Sequence, residues 1–283
     1  MEGLNEFRSR MAEERYIADD ALAITVLIAM KLGRPLLIEG AAGVGKTEVA
    51  KVVARAMNRE LVRMQCYEGL DESKALYEWN YQKQLLAIQM GADGMSDLFG
   101  EAYLLERPLL KSIRSQEPVV LLIDEVDKSD AEFEAFLLEL LSEMQVTIPE
   151  YGTVRARTTP FIVLTSNHTR PLSEALRRRC AYLYIEYPTV EKEIQILRAK
   201  LPDADEVLAG QVARAVAYLR ASEKVLKKPS IAESLDWTQA LLALGARDLD
   251  EETCAQTIGF ALKNNEDIRE ILNDDEFVRC LIQ

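Results

Sequence analysis

The amino-acid sequence predicts an α/β domain, with a mostly parallel sheet covered by helices on both faces, followed by a small all-helical domain. Three observations lead there. Short apolar runs rich in Val, Ile and Leu alternate with segments of helical period. Two of those runs, 118–124 and 160–166, lack the in-and-out alternation of a half-exposed strand, as expected for strands buried on both faces. After Tyr187-Pro188 the strand signal stops and only amphipathic helical patterns follow.

The elements follow in order. Strands are expected over 35–39, 60–65, 118–124, 160–166 and 181–186. Between them lie helical patterns over 47–57 and over 129–143, where Phe133, Phe136, Leu137, Leu140 and Leu141 form one stripe. Three to five amphipathic helices complete the chain, for example over 206–221 and 230–244. The expected domains are therefore 1–187 and 188–283.

Composition excludes several classes. The 283 residues carry 34 Lys and Arg against 47 Asp and Glu, a net charge of −13, which repels a nucleic-acid backbone. At 48% hydrophobic and 29% charged the chain reads as globular rather than disordered. Its longest apolar run, Ala21 to Met30, is half of the roughly 20 residues needed to span a bilayer. No signal-peptide layout precedes it, so no membrane span and a cytoplasmic location are expected. Cys66, Cys180, Cys254 and Cys280 lie far apart and His168 is the sole histidine, so no zinc spacing can be assembled.

The chemistry-bearing residues sit at strand ends. Gly40, Ala41, Ala42, Gly43, Val44, Gly45, Lys46 and Thr47 fit G-x-x-x-x-G-K-[ST], with a strand before and a helix after. Glycines let the backbone wrap phosphates with its N–H groups at a helix N-terminus. Lys46 would meet the β- and γ-phosphates of ATP, the Thr47 hydroxyl would hold Mg2+, and Glu48 closes the nucleotide-binding run. This makes the α/β domain a P-loop NTPase core. Next, Val119 to Ile123 run apolar into Asp124 and Glu125, which delivers two carboxylates to the end of a buried strand. Asp124 is placed to bind Mg2+ and Glu125 to act as general base on the attacking water. A further strand ends in Thr165-Ser166-Asn167, whose amide either orients that water or sits in a turn. The adenine pocket is placed at Tyr16-Ile17, before the first expected helix.

With these strings in place the chain resembles the AAA+ ATPases over nearly its whole length. The 131–142 helix and the Val146-to-Val154 stretch look like the hairpin before sensor 1 in the MoxR branch. Gln65-Cys66-Tyr67-Glu68-Gly69-Leu70, Tyr77-Glu78-Trp79-Asn80-Tyr81 and Leu235-Asp236-Trp237 are similar to a MoxR subgroup that assists maturation of the molybdenum-copper carbon monoxide dehydrogenase. The resemblance implies that Asn167 is sensor 1. It also implies that an arginine of Arg177-Arg178-Arg179 is a finger reaching a neighbouring subunit's γ-phosphate, Arg179 first and Arg178 second. One departure stands out: related proteins carry a sensor 2 arginine in a Pro-Ser-x-Arg setting, where this chain has Pro229-Ser230-Ile231-Ala232. Lys228 either substitutes as a point charge or forms an exposed pair with Lys227.

The stretch from Tyr67 to Tyr103 carries six aromatics and the glycines Gly91, Gly94 and Gly100. It either packs an inserted helix pair or grips a client. The expected activity is Mg2+-dependent ATP hydrolysis in a self-oligomer, a hexameric ring, that remodels a protein client. The resemblance implies a chaperone-like role in maturing a molybdenum hydroxylase, with a von Willebrand factor A domain protein as a further partner. The alternative is a nucleotide-controlled adaptor with little turnover.

Overall fold

Val, Leu and Ile dominate five runs of the chain, and these runs form the central sheet of a computed structural model that describes residues 2–89 and 98–282. In chain order the elements begin with α1 (Glu2–Glu13), α2 (Asp20–Leu32), β1 (Leu36–Gly40), α3 (Lys46–Ala56) and β2 (Leu61–Gln65). Then come α4 (Glu72–Leu76), β3 (Tyr77–Trp79), α5 (Tyr81–Gln89), β4 (Leu104–Glu106), α6 (Pro108–Arg114) and β5 (Val120–Asp124). They continue with α7 (Ala131–Glu143), β6 (Gln145–Ile148), β7 (Gly152–Arg155), β8 (Phe161–Ser166), α8 (Glu174–Arg179) and β9 (Ala181–Ile185). The last six are α9 (Val190–Lys200), α10 (Glu206–Ala221), α11 (Ile231–Ala243), α12 (Glu251–Thr257), α13 (Asn265–Leu272) and α14 (Asp275–Ile282). Helix α1 was not anticipated from the sequence, so Tyr16-Ile17 follows one helix and precedes another.

Two units are distinguished: Met1–Leu4, Asp20–Gly40 and Lys46–Tyr184 form the first, and Asn5–Asp19, Ala41–Gly45 and Ile185–Gln283 the second. The first holds the five-stranded parallel sheet, in the order β2-β5-β8-β1-β9. Every residue of β1, β5 and β8 is buried, which is why their sequences run apolar without alternation. The register sets Gln65 beside Asp124 and Glu39 beside Ser166, so polar strand ends gather at one edge of the sheet. Two antiparallel strand pairs, β3–β4 and β6–β7, stand apart from the sheet.

The second unit has its own core, centred on the fully buried Trp237, Phe277 and Leu219. Among the described residues six helices, α9 to α14, follow residue 188, against the three to five expected. Side-chain caps mark the starts of α9, α10, α11, α12 and α13: Thr189, Asp205, Ser230, Asp250 and Asn264 each accept a bond from the first turn. A buried ion pair, Arg220 to Glu193 at 2.5 and 2.9 Å, ties α10 to α9, and Ser234 of α11 donates to the same carboxylate at 2.6 Å. Trp237 Nε1 donates to Thr257 Oγ1 at 2.8 Å, so this indole is anchored in the helical core.

Candidate functional site

The glycine-rich loop leaves β1 and enters α3. Gly43 and Gly45 have φ of +74° and +96°, a left-handed backbone that a side chain strains to adopt. At Gly43 the space is closed as well, since an added Cβ would lie 2.2 Å from the Cβ of Ser230. Ser230 is the N-cap of α11, where it and Glu233 form a capping box. Lys228 turns its ammonium to the Ser222 carbonyl, and Ala232 is exposed. Ile17, half-buried, lies in the irregular segment between α1 and α2.

Lys46 opens α3 and is 6% exposed, with Nζ donating to the Gly40 carbonyl at 2.8 Å. Burial pulls its ammonium below the usual lysine range, against the opposing pull of Asp127, Asp124 and Glu125. Thr47 Oγ1 lies 3.0 and 3.2 Å from the two carboxylate oxygens of Asp124. Glu48 instead engages Arg55 and Lys51 along its own helix, at 3.4 and 3.8 Å.

At the end of β5, Asp124 is buried and Glu125 turns the chain with φ of +55°, a costly conformation for a glutamate. Thr165 of β8 holds both residues. Its hydroxyl donates to Asp124 Oδ1 at 2.6 Å and accepts the Glu125 N–H at 2.9 Å. Three donors then meet the Glu125 carboxylate: Asn167 Nδ2 on Oε1 at 3.1 Å, and Gln65 Nε2 and Lys128 Nζ on Oε2 at 2.7 and 2.6 Å. Its bond to Glu125 holds the Lys128 ammonium above its usual range. Behind them, Asp127 accepts from the backbone N–H of Asn167 and of Thr169, and from the Thr169 hydroxyl at 2.7 Å. Asp124 also accepts from Arg63, at 2.7 Å on Oδ2. Thr47, Asp124, Glu125 and Asn167 therefore belong to one bonded set.

The three adjacent arginines lie outside that set and have different surroundings. Arg177 approaches the buried Glu39 at 3.4 Å and lies over the Tyr182 ring, while His168 Nε2 reaches Glu39 at 3.0 Å. Arg178 is 77% exposed and pairs with Glu174 one turn back. Arg179 Nε donates to Ser142 Oγ at 3.0 Å.

Arg63, Gln65 and Lys128 were missed in the sequence. For Arg63 and Gln65 the one local signal was a pair of polar residues alternating with Val62 and Met64 at a strand end. The arrangement supplies two hard oxygen donors side by side, a buried cation near them, and a carboxylate able to take a proton beside an amide.

A sequence model of the AAA domain, dynein-related subfamily, matches residues 35–180, just over half of the chain. Among curated relatives, an uncharacterized protein of Staphylococcus saprophyticus is 24% identical over 83% of this chain and 86% of its own length. The proteasome-activating nucleotidase 2 of Haloferax volcanii is 28% identical over 61% of this chain and 38% of its own. A solved RuvB mutant of Thermotoga maritima superposes with a TM-score of 0.55 at 16% identity, over 90% of this chain and 76% of that one, a likeness of fold.

Proposed function

Because this chain belongs to the AAA domain family, in its dynein-related subfamily, we propose that it binds ATP with Mg2+ and hydrolyses it to ADP and phosphate. The observation that carries this reading is the meeting of the Thr47 hydroxyl with Asp124 next to a carboxylate, Glu125, bonded to the Asn167 amide. A hydroxyl and one carboxylate are what Mg2+ takes from a protein when phosphate oxygens and waters fill its remaining positions. Thr47 and Asp124 would hold Mg2+, which would supply charge neutralisation to the transferring phosphoryl group.

The protein's own groups do the rest. N–H groups of residues 41–45 and the Lys46 ammonium bind phosphate oxygens. Glu125 takes the proton of the attacking water, and Asn167 orients that water. A neighbouring subunit supplies Arg179 or Arg178 as a finger, so activity needs a ring, six-membered by family resemblance. Residues 1–187 act as the nucleotide-binding domain and 188–283 as its lid. Within the family we place the chain in the MoxR branch, on the 131–142 helix and the 146–154 stretch, and in its carbon monoxide dehydrogenase-linked subgroup on the 65–70, 77–81 and 235–237 strings. Its client is a protein, a molybdenum hydroxylase in the cytoplasm, served together with a von Willebrand factor A domain partner.

One observation favours a second reading, an adaptor with little turnover. The Glu125 carboxylate accepts from Gln65, Asn167 and Lys128 at once, and a base so occupied does not take a proton until it is released. Turnover measured with and without client separates the two readings.

Glu125→Gln should keep ATP and Mg2+ bound while lowering turnover by about 10²–10⁴-fold, because an amide cannot accept the proton. Lys46→Ala should abolish nucleotide binding. Native turnover in Glu125→Gln removes Glu125 as base, and micromolar ATP binding by Lys46→Ala removes the phosphate site itself.

A further inference from the structure

Strand β2 turns Val62 and Met64 into the core and Arg63 and Gln65 toward solvent. Its parallel register against β5 sets Gln65 level with Asp124 and Arg63 two residues back. The outcome is a continuous polar chain. Arg63 Nη2 donates to Asp124 Oδ2 at 2.7 Å and to Gln65 Oε1 at 2.8 Å, and Gln65 Nε2 donates to Glu125 Oε2 at 2.7 Å.

The carboxylate at the head of this chain is buried, with its side chain 4% exposed. A buried carboxylate requires a counter-charge or a full set of donors. Thr165 and Thr47 supply neutral donors to Asp124, and Arg63 supplies the charge-assisted bond. Unlike its partner, the Arg63 side chain is 48% exposed, on a long stem at an outer strand of the sheet. It can therefore leave for water at little cost.

We propose that Arg63 is a positioning residue that stands in for the divalent cation at Asp124 and competes with it. This rests on the reading of Asp124 as the Mg2+ ligand. A dication at Asp124 and a guanidinium on the same carboxylate repel each other, so arrival of the metal drives Arg63 outward. The Asp124 carboxylate is thereby never left without a partner.

The test is Mg2+ titration of the full chain saturated with a fluorescent ADP analogue, in wild type and in Arg63→Met. Removing the competing cation should lower the Mg2+ concentration at half-saturation by about tenfold. In EDTA the Arg63→Met protein should melt below wild type, and the gap should close when Mg2+ and ADP are added. Arg63→Lys keeps the charge and loses the fork to Gln65, so its half-saturation should stay near the wild-type value. In an Asp124→Asn background, Arg63→Met should have no effect. An unchanged or raised half-saturation in Arg63→Met, or a Lys variant shifted as far as the Met variant, overturns the proposal. Wild-type binding of the analogue without any dependence on Mg2+ would instead overturn the assignment of Asp124, which keeps the two failures distinct.

Discussion

Asp127 illustrates what one buried carboxylate does to the chain around it. It is 2% exposed and accepts from the backbone of Asn167 and Thr169 and from the Thr169 hydroxyl, fixing the end of β8 against the turn after Glu125. Burial alone would raise its pKa, but the bonds from Thr169 and Asn167 outweigh it and hold the carboxyl below its usual 3.8. A carboxyl depressed in the folded state contributes stability that is present above the unfolded value and lost as pH falls through the folded one. Asp127→Asn should therefore cost about 1–3 kcal/mol at neutral pH, and its deficit should shrink below about pH 4. Denaturant unfolding across acidic pH checks this, and curves for the two proteins that stay parallel would contradict it. Asp124 and Glu125 were legible because five apolar residues run into them on one strand. Asp127 was not, since its partners lie some forty residues away.

At the scale of elements, the insertion after β2 separates two aromatics that the sequence left together. Trp79 ends β3 facing inward, 7% exposed, and meets Tyr77 and Phe99 edge-on at 5.8 and 5.3 Å. Tyr81 opens α5 and is 63% exposed, on a helix that also exposes Leu85, Leu86 and Ile88. Trp79→Ala should thus destabilise the protein by about 3–5 kcal/mol, whereas Tyr81→Ala should change stability by less than about 0.5 kcal/mol. If α5 meets the client, Tyr81→Ala lowers client-stimulated turnover and spares the basal rate. Melting curves and paired rate measurements read both effects, and a large melting shift in Tyr81→Ala would mean that the ring packs. A three-residue strand has too short a period to announce which of its side chains turns inward. Of the glycines noted in this stretch, Gly91 and Gly94 lie outside the described residues.

For the whole molecule the question is which arginine acts across a subunit boundary. Arg179 ranks first by family resemblance, yet its guanidinium donates to Ser142, while Arg178 projects with Glu174 beside it. A finger is useless to its own subunit and essential to the next, and its loss costs about 10³–10⁵ in rate. Arg179→Ala and Arg178→Ala should each be mixed with Lys46→Ala, which keeps its fingers and cannot hold ATP. The variant that is inactive alone and regains turnover in mixed assemblies identifies the finger. Failure of both, despite demonstrated subunit exchange, would contradict a finger in trans, and concentration-independent turnover by a monomer would contradict the ring.

The sequence by itself determined the fold class and the residues around which a site could form. Both are local properties: apolar periodicity reports how a segment is covered, and the spacing from Gly40 to Thr47, or of Asp124 and Glu125, is covalent. It did not determine what those residues touch. Pairing of β2 with β5 brings Arg63 to Asp124 across 61 positions and Gln65 to Glu125 across 60, and pairing of β5 with β8 brings the Thr165 hydroxyl to the Asp124 carboxylate and the Glu125 N–H. Strand order β2-β5-β8-β1-β9 is decided by how crossovers bury their helices, a through-space outcome that leaves no period in the chain. Only the tertiary structure could therefore show that Asp124 and Glu125 are held from both neighbouring strands.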